Sequence, residues 1–133
     1  MIYILDTNIC IYFFKANPHV MAQIEEIGLP SLAVTNSVLA ELYFGAFHSK
    51  RVEKNIETID KFKKLVKIIP DSDSSAKIFG EEKAKLLKTG KPLDDFDIHI
   101  ASIALAHKSI LVTNNQAHFK RISGLKLANW LQE

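Results

Sequence analysis

The chain has 133 residues, of which 47% are hydrophobic and 24% are charged, and its formal net charge is +2 at pH 7. These values are typical of one globular domain with a buried core, so we expect residues 1–133 to form a single domain. They exclude a transmembrane protein, because no apolar run approaches the roughly 20 residues needed to cross a bilayer. The apolar start of the chain is also too short for a signal peptide, and we expect a cytoplasmic protein.

The single cysteine, Cys10, excludes an intramolecular disulfide and a zinc site built from several thiolates. It stands between two isoleucines, which predicts a buried side chain. Lysine residues cluster in the stretches 50–67 and 83–91, but glutamates are interleaved with them. Mixed charge of this kind is typical of solvated helix faces, and the small net charge does not by itself indicate a polyanionic partner.

In chain order, four short apolar runs predict β-strands, and these runs are residues 2–5, 32–34, 66–69 and 110–112. Between them, apolar residues repeat every three or four positions, which predicts helices over residues 38–46, 52–66, 74–87 and 95–107. Strands that alternate with helices favour a parallel sheet covered on both faces. Polar residues that follow the first, second and fourth strands should then meet at the carboxyl edge of the sheet, where ligands bind in such folds.

The first of these strand exits is the sequence Asp6-Thr7-Asn8, which separates the first strand from the apolar run 9–14. Asp6 or Asn8 could cap a following helix, because its side-chain oxygen can accept a bond from a backbone N–H of the first turn. Asp6 could also deliver a carboxylate to the sheet edge. The two roles are compatible.

Glu41 lies in the segment NSVLAELYFGAF, a predicted helix whose other residues are mostly apolar or small. It comes about one and a half turns into the helix that follows the second strand, which places it near the same sheet edge. One interpretation is a glutamate at the exposed edge of the helix. The other is a carboxylate in a narrow polar stripe, which needs water or a counter-charge.

A third acidic group lies in PLDDFDIHIASIALAH, at the start of a helix that is apolar nearly all round. Acids in a first turn are favoured by the helix dipole, so Asp94 or Asp95 can be explained as a cap. Asp97 stands where the helix begins to enter the core, which favours a functional role.

Brought together at one sheet edge, Asp6, Glu41 and Asp97 would repel one another unless a cation were bound. Oxygen ligands without cysteine suit Mg²⁺ or Mn²⁺ rather than zinc. The chemistry typical of such a site is metal-assisted hydrolysis of a phosphodiester, in which the metal activates water and neutralises charge on the phosphate.

Four segments of the chain, in this order, resemble the PIN-domain ribonucleases, and most closely the VapC toxins of bacterial toxin–antitoxin pairs. The segments span nearly the whole chain, and they are MIYILDTNICIYFF, VTNSVLAELYFG, GKPLDDFDIHIASIALAH and ILVTNNQAHFKRISGLKLANW. The resemblance implies a three-layer α/β/α sandwich with a mostly parallel sheet of four or five strands. It also implies a Mg²⁺-dependent endoribonuclease, with Mn²⁺ as the alternative ion.

By this resemblance, Asp6, Glu41 and Asp97 match the family's three most constant acids, with Asp6 and Asp97 holding the metal. Glu41 would complete the ligand set or orient the attacking water. The resemblance also implies a surrounding polar shell that fixes the carboxylate rotamers. Its residues are Thr7, Asn8, Thr113 and Asn115.

The chain departs from the family pattern at the fourth acid, because many relatives carry Asp or Glu where this chain has Asn114 and Asn115. A full second metal site therefore lacks one ligand. His118 follows in the same segment, and it can be interpreted either as a substrate contact or as a surface histidine on a short helix.

The resemblance also implies binding partners, namely a VapB-type antitoxin and an RNA substrate, with tRNA as one candidate. Contact with operator DNA would be only indirect, through the antitoxin. The resemblance further predicts a homodimer and a toxin–antitoxin hetero-oligomer, with no membrane association. The clustered acids favour an antitoxin that inserts an arginine among them. For the dimer surface we expect apolar residues in excess of what one small domain readily covers, and these are Phe44, Phe47, Ile56, Ile59 and Phe62.

Two other functions stay open from the residues alone. One is a PIN-like module that binds RNA or a protein without cutting RNA. The other is a receiver-like phosphorelay domain, which would need paired acids after the first strand and a phosphoacceptor aspartate after the third. Asp71 and Asp73 follow that strand beside a proline, which is more typical of a turn and a helix cap.

Overall fold

Within residues 1–131, which are those that the computed structural model describes, five strands form one sheet in which all neighbours are parallel. The strands are β1 (Tyr3–Leu5), β2 (Leu32–Thr35), β3 (Lys67–Ile69), β4 (Ile110–Val112) and β5 (Lys126–Ala128). Their spatial order is β3, β2, β1, β4, β5. The predicted parallel sheet is confirmed. Hydrophobicity alone does not predict β5, because its three residues include no β-branched or aromatic side chain.

Seven helices connect these strands in the described part of the chain. They are α1 (Thr7–Phe14), α2 (Pro18–Ile27), α3 (Asn36–Phe47), α4 (Val52–Lys63), α5 (Asp73–Lys88), α6 (Asp95–His107) and α7 (Gln116–Phe119). The prediction that the helix from Val52 continues to Val66 is wrong, because α4 ends at Lys63. Val66 lies in the turn before β3 and still packs against the core, which explains why an apolar residue continues the helical spacing to this position.

The residues at its two ends indicate helix α2 in the sequence more clearly than the spacing of its apolar residues does. The Asn17 side chain accepts hydrogen bonds from the N–H groups of His19 and Val20, at 3.0 and 3.2 Å. Pro18 occupies the first helical position, which needs no N–H donor. Gly28 ends the helix with a φ of 91°, a conformation that favours glycine.

The connections divide the helices into two layers on opposite faces of the sheet. From β1 the chain moves outward to β2 and β3, and it then crosses back over the sheet to β4 and β5. Because crossovers between parallel strands are right-handed, this reversal places the helices before and after β3 on opposite faces. In agreement, α1 packs on α3 and α3 packs on α4, whereas α5 packs on α6. The predicted three-layer sandwich is confirmed.

The core lies between the sheet and both helix layers. Ile4, Leu5, Val34 and Leu111 are fully buried strand residues, as expected when both faces of a sheet are covered. Cys10 is also fully buried on α1, as predicted from its apolar neighbours. Among residues 1–131, no helix is both long and apolar enough to cross a membrane.

Candidate active site at the carboxyl edge of the sheet

The strand order reverses next to the central strand β1, which lies between β2 and β4. In open α/β sheets, ligands bind outside the carboxyl ends of the strands at this switch point. The residues that leave the three central strands are Asp6 after β1, Thr35 at the end of β2 and Thr113 after β4. All three are buried polar residues, so polar groups concentrate where the fold provides a crevice.

Asp6 both caps α1 and connects two strand ends. Its Oδ1 accepts a 2.6 Å hydrogen bond from the N–H of Thr7, at the start of the helix. Its Oδ2 accepts a 2.8 Å bond from the hydroxyl of Thr113, across the switch point. Its backbone N–H donates to the carbonyl of Val112 at 3.0 Å, which extends the pairing of β1 with β4. The capping role that the sequence allowed therefore belongs to Asp6 rather than to Asn8.

Burial is the main cause that raises the pKa of the Asp6 carboxyl above its usual value. The hydrogen bonds from Thr113 and Thr7 act in the opposite direction, because they stabilise the carboxylate. The negative charge of Glu41 adds to the rise. Asp6 is therefore a carboxylate whose negative charge is only partly compensated by the protein.

Glu41 lies on α3, which starts directly at the end of β2. Its side chain is exposed, as one of the two interpretations of the sequence expected. Its Oε1 nevertheless accepts a 2.6 Å hydrogen bond from the hydroxyl of Thr7. Because the N–H of the same threonine donates to Asp6, Thr7 holds both carboxylates at the start of α1.

Asp97 lies in the first turn of α6 and is half-buried. Burial is the largest cause that raises the pKa of its carboxyl. The negative charges of Asp6 and Asp94 raise it further, the His118 imidazole opposes the rise, and Glu41 adds a smaller increase. Asp6, Glu41 and Asp97 thus lie close enough to repel one another electrostatically.

The two acids that precede Asp97 have other surroundings. Asp95 forms a 2.9 Å ion pair with Lys83 of α5. Asp94 is the residue before the first helical position, and its side chain makes no capping hydrogen bond in α6. Of these three acids, Asp97 is the one that is not exposed.

The donor chemistry of the site fits a divalent cation. The acids offer oxygen ligands only, and burial together with the negative charge of neighbouring carboxylates raises the pKa values of Asp6 and Asp97. Oxygen donors are preferred by Mg²⁺ and Mn²⁺. In residues 1–131, however, no group of three or more His, Cys, Asp or Glu side chains already has the spacing of a metal site. Glu41 is turned toward Thr7 instead.

The predicted polar shell divides into residues that contact the acids and residues that do not. Thr7 and Thr113 each donate to a carboxylate. The backbone N–H of Asn115 donates to the hydroxyl of Thr113 at 3.0 Å, so Asn115 contacts the acids only indirectly. Asn8 is exposed at the second position of α1, and no hydrogen bond described for residues 1–131 joins it to the acids.

His118 makes a side-chain contact that was not predicted from the sequence. Its Nδ1 lies 2.7 Å from the amide nitrogen of Asn115. The two residues are three positions apart at the start of α7, a spacing at which side chains on one helical turn meet. That spacing is the signal that could have identified the pair.

A groove of about 420 Å³ leads away from Glu41 between α1, α3 and α4. Its lining is largely apolar, and it includes Ile11, Phe14, Leu42, Ala46 and Ile59. Lys15 and Lys54 also line it. Through Glu41, the acidic site therefore adjoins an open and largely apolar groove.

The predicted dimer surface is partly wrong. Ile59 and Phe62 are buried within the chain, and the ring of Phe62 packs against Phe13 and Phe14 with centroids 5.7 and 5.1 Å apart. The reason is that α4 turns its apolar face toward α1 and α3. Two large apolar side chains of α3 do stay exposed, and these are Phe44 at 69% and Phe47 at 67%.

Comparison with known proteins places these features in a family context. The model of the PIN domain family matches residues 3–125. Ribonuclease VapC2 of Haemophilus influenzae is 38% identical over 129 residues, which is 97% of this chain and 98% of that protein. The tRNA(fMet)-specific endonuclease VapC of Shigella flexneri is 31% identical over 128 residues, which is 96% of this chain and 97% of that protein.

Solved structures agree with this sequence similarity. In the structure of VapBC2 from Rickettsia felis bound to a promoter DNA fragment, one chain superimposes with a TM-score of 0.91 and 38% identity, covering 98% of this chain and 99% of its own length. In VapBC-1 from nontypeable Haemophilus influenzae, the TM-score is 0.89 at 33% identity, with 99% and 100% of the two chains covered. Both matches extend over the acidic edge and over both helix layers.

Proposed function

The chain belongs to the PIN-domain family, and from that premise we propose that it is the toxin of a VapBC-type toxin–antitoxin pair. It is an endoribonuclease that hydrolyses RNA phosphodiester bonds, and a VapB-type antitoxin neutralises it. The observation that carries the proposal is the pairing of Asp6 and Glu41 through Thr7, with Asp97 in electrostatic range. We also propose that the whole chain acts as one PIN domain, of which the family model covers residues 3–125.

The catalytic residues in this proposal are Asp6, Glu41 and Asp97. Asp6 and Asp97 hold a metal, which we take to be Mg²⁺ with Mn²⁺ as a substitute, because the donors are all oxygen atoms. When bound, the cation activates water and neutralises charge on the phosphate. We propose that Glu41, which is exposed at the rim, completes the ligand set or orients the attacking water.

The surrounding polar residues keep these carboxylates in place. Thr113 is buried and donates to Oδ2 of Asp6, so it restricts the rotamer of that side chain. Thr7 does the same for Glu41 through its hydroxyl. Asn115 supports Thr113 from its backbone N–H. We propose that Asn8, which is exposed beside Thr7, completes this shell.

We propose RNA as the substrate and tRNA as the first RNA to test. The relative from Shigella flexneri carries tRNA(fMet) specificity in its name, and it is similar to this chain over nearly its full length. The site itself supports a phosphodiester substrate, because clustered carboxylates that bind a divalent cation are suited to phosphate chemistry.

For the antitoxin, we propose that a flexible segment lies in the groove between α1, α3 and α4 and places an arginine among the acids. The groove is largely apolar and has Glu41 in its lining, so one segment can contact both surfaces. A guanidinium can pair with carboxylates in the place of the metal. Contact with operator DNA is then a property of the antitoxin, and the toxin reaches DNA only through it.

We further propose a homodimer, and a hetero-oligomer when the antitoxin is bound. The support is the exposure of Phe44 and Phe47 on one helix, because large aromatic side chains at the surface favour association.

The proposed activity can be tested with the purified chain and bulk bacterial tRNA, in Mg²⁺ and in excess EDTA. We expect cleavage in Mg²⁺ only. Asp97→Asn, purified in parallel, controls for contaminating ribonuclease and should be inactive. A wild-type chain that binds tRNA but cuts it with neither Mg²⁺ nor Mn²⁺ would instead favour the alternative of a non-catalytic RNA-binding module.

A further inference from the structure

His118 is connected to the acidic site through Asn115 and Thr113, each of which makes a hydrogen bond to the next residue toward Asp6. Its Nδ1 lies 2.7 Å from the Asn115 amide nitrogen, and the Asn115 backbone N–H donates to the hydroxyl of Thr113 at 3.0 Å. That hydroxyl in turn donates to Oδ2 of Asp6 at 2.8 Å. The imidazole is therefore held at a defined place relative to the acid that follows β1.

Two further contacts fix the segment that carries His118. Its neighbour Phe119 is 1% exposed, so the backbone of α7 is anchored in the core. Just after α7, the guanidinium of Arg121 donates a 3.0 Å hydrogen bond to the carbonyl of Pro92, in the loop that leads into α6. These contacts hold α7 beside the helix start that carries Asp97.

The free edge of the His118 ring is its Nε2 edge. An amide nitrogen can only donate, so the Asn115 contact makes Nδ1 the acceptor and leaves the proton of the neutral ring on Nε2. The side chain is exposed, so a ligand can reach this N–H. The His118 imidazole also lowers the pKa of the Asp97 carboxyl, so the two side chains lie within electrostatic range of each other.

We propose that His118 binds the phosphate of the RNA strand at the rim of the acidic site, donating from Nε2. This inference rests on the proposed nuclease function. Asp6, Glu41 and Asp97 repel a phosphate, so the substrate needs a donor beside them. His118 supplies an N–H on the side of α7, where Asn115 orients the ring.

The test compares His118→Ala and His118→Arg with the control His107→Ala. His107 is also an exposed histidine, but it ends α6 and lies about 15 Å from Asp97 along the helix axis. Fluorescence anisotropy measures the binding of labelled bulk bacterial tRNA in EDTA, and single-turnover kinetics measures cleavage of the same tRNA in Mg²⁺. Circular dichroism melting checks that each variant is folded.

We expect His118→Ala to weaken tRNA binding by about 10-fold, as for the loss of one hydrogen bond to a charged group. His118→Arg, which keeps a donor, should recover most of the affinity, and His107→Ala should match the wild type. If His118→Ala binds and cleaves tRNA like His107→Ala, the inference is overturned while the nuclease function stands. If tRNA binding depends on His118 but the wild type cuts nothing in Mg²⁺, the nuclease function fails and the phosphate contact stands.

Discussion

The hydroxyl of Thr7 donates a 2.6 Å hydrogen bond to Oε1 of Glu41, which is 34 residues further along the chain. The backbone N–H of the same threonine donates to Oδ1 of Asp6. One residue at the start of α1 thereby sets the distance between two carboxylates that belong to different strand exits. We therefore expect Thr7 to act as a positioning residue for these two carboxylates.

The first prediction is that Thr7→Val lowers the kcat of RNA cleavage by about 10-fold, because Glu41 loses the donor that orients it. The backbone bond to Asp6 survives, so the melting temperature should change little. Thr7→Ser is the matched control, since it keeps the hydroxyl and should restore kcat. Equal activity of the valine and serine variants would show that the hydroxyl does not position Glu41.

The second prediction concerns metal removal. Excess EDTA should abolish cleavage of tRNA, and Mg²⁺ or Mn²⁺ should restore it. The reason is that the clustered carboxylates repel the phosphate of the RNA unless a bound cation neutralises their charge. Binding of Mn²⁺ can be followed directly by electron paramagnetic resonance, with Asp97→Asn as the variant that has lost a ligand. Undiminished cleavage in excess EDTA would contradict the assignment.

The third prediction concerns Asp97→Asn, which keeps the shape of the side chain and removes its charge. Activity should fall by about 100-fold or more if Asp97 holds the metal. Asp95→Asn is the matched control, because that exposed acid pairs with Lys83 and should be dispensable for cleavage. A folded, fully active Asp97→Asn protein would show that Asp97 does not hold the metal and serves only as an acid in the first turn of α6.

The same substitution has an expected effect on stability, measured by thermal melting in EDTA. The pKa of Asp97 is higher in the folded state than its unfolded value of about 3.9. The contribution of this carboxyl to the free energy of unfolding is therefore fully present below the unfolded pKa, and it is lost as the pH rises through the folded pKa. At pH 7 the charged side chain therefore opposes folding, and Asp97→Asn should melt at an equal or higher temperature than the wild type. Below about pH 3 the difference should disappear, since Asp97 is then mostly protonated in both states. A lower melting temperature for the variant at pH 7 would contradict the expectation that the charge of Asp97 is repelled by the neighbouring carboxylates.

The fourth prediction is that the chain is a dimer at micromolar concentration and that Phe44→Ser with Phe47→Ser makes it monomeric. Both rings are exposed on α3, so their replacement costs little within the monomer. Leu87→Ser, at an exposed leucine of α5, is the control and should leave the mass unchanged. Sedimentation equilibrium measures the masses. A monomeric wild type, with and without antitoxin, would contradict the prediction.

The fifth prediction concerns the antitoxin. Asp6→Ala or Glu41→Ala should weaken its binding by no more than about 3 kcal/mol, because the desolvation of an ion pair offsets much of its attraction. Most of the affinity should come from the apolar groove, so Ile11→Glu, at an exposed side chain in the groove lining, should weaken binding more strongly. Isothermal titration calorimetry gives both values. A structure of the complex with the antitoxin on the far side of the sheet, and the acidic edge open to Mg²⁺, would rule out this mechanism.

Much of the fold and of the candidate site could be predicted from local sequence patterns. The alternation of strands with helices predicted a parallel sheet, and polar residues at strand ends pointed to Asp6 and Glu41 at one edge. Asp97 could be singled out because an acid that enters an apolar helix is costly to bury. Such inferences succeed because they depend on periodicity and on solvation, which are properties of each segment.

Contacts between segments could not be predicted in the same way. Ile59 and Phe62 have the apolar spacing of an exposed dimer surface as much as that of a core face, and only the packing of α4 against its neighbours decided that they are buried. The tertiary structure likewise decided that Thr7 bonds to Glu41 and that His118 is linked to Asp6 through Asn115 and Thr113. A periodic pattern determines which face of an element avoids water, but the partner of that face depends on distances between segments that are far apart in the chain.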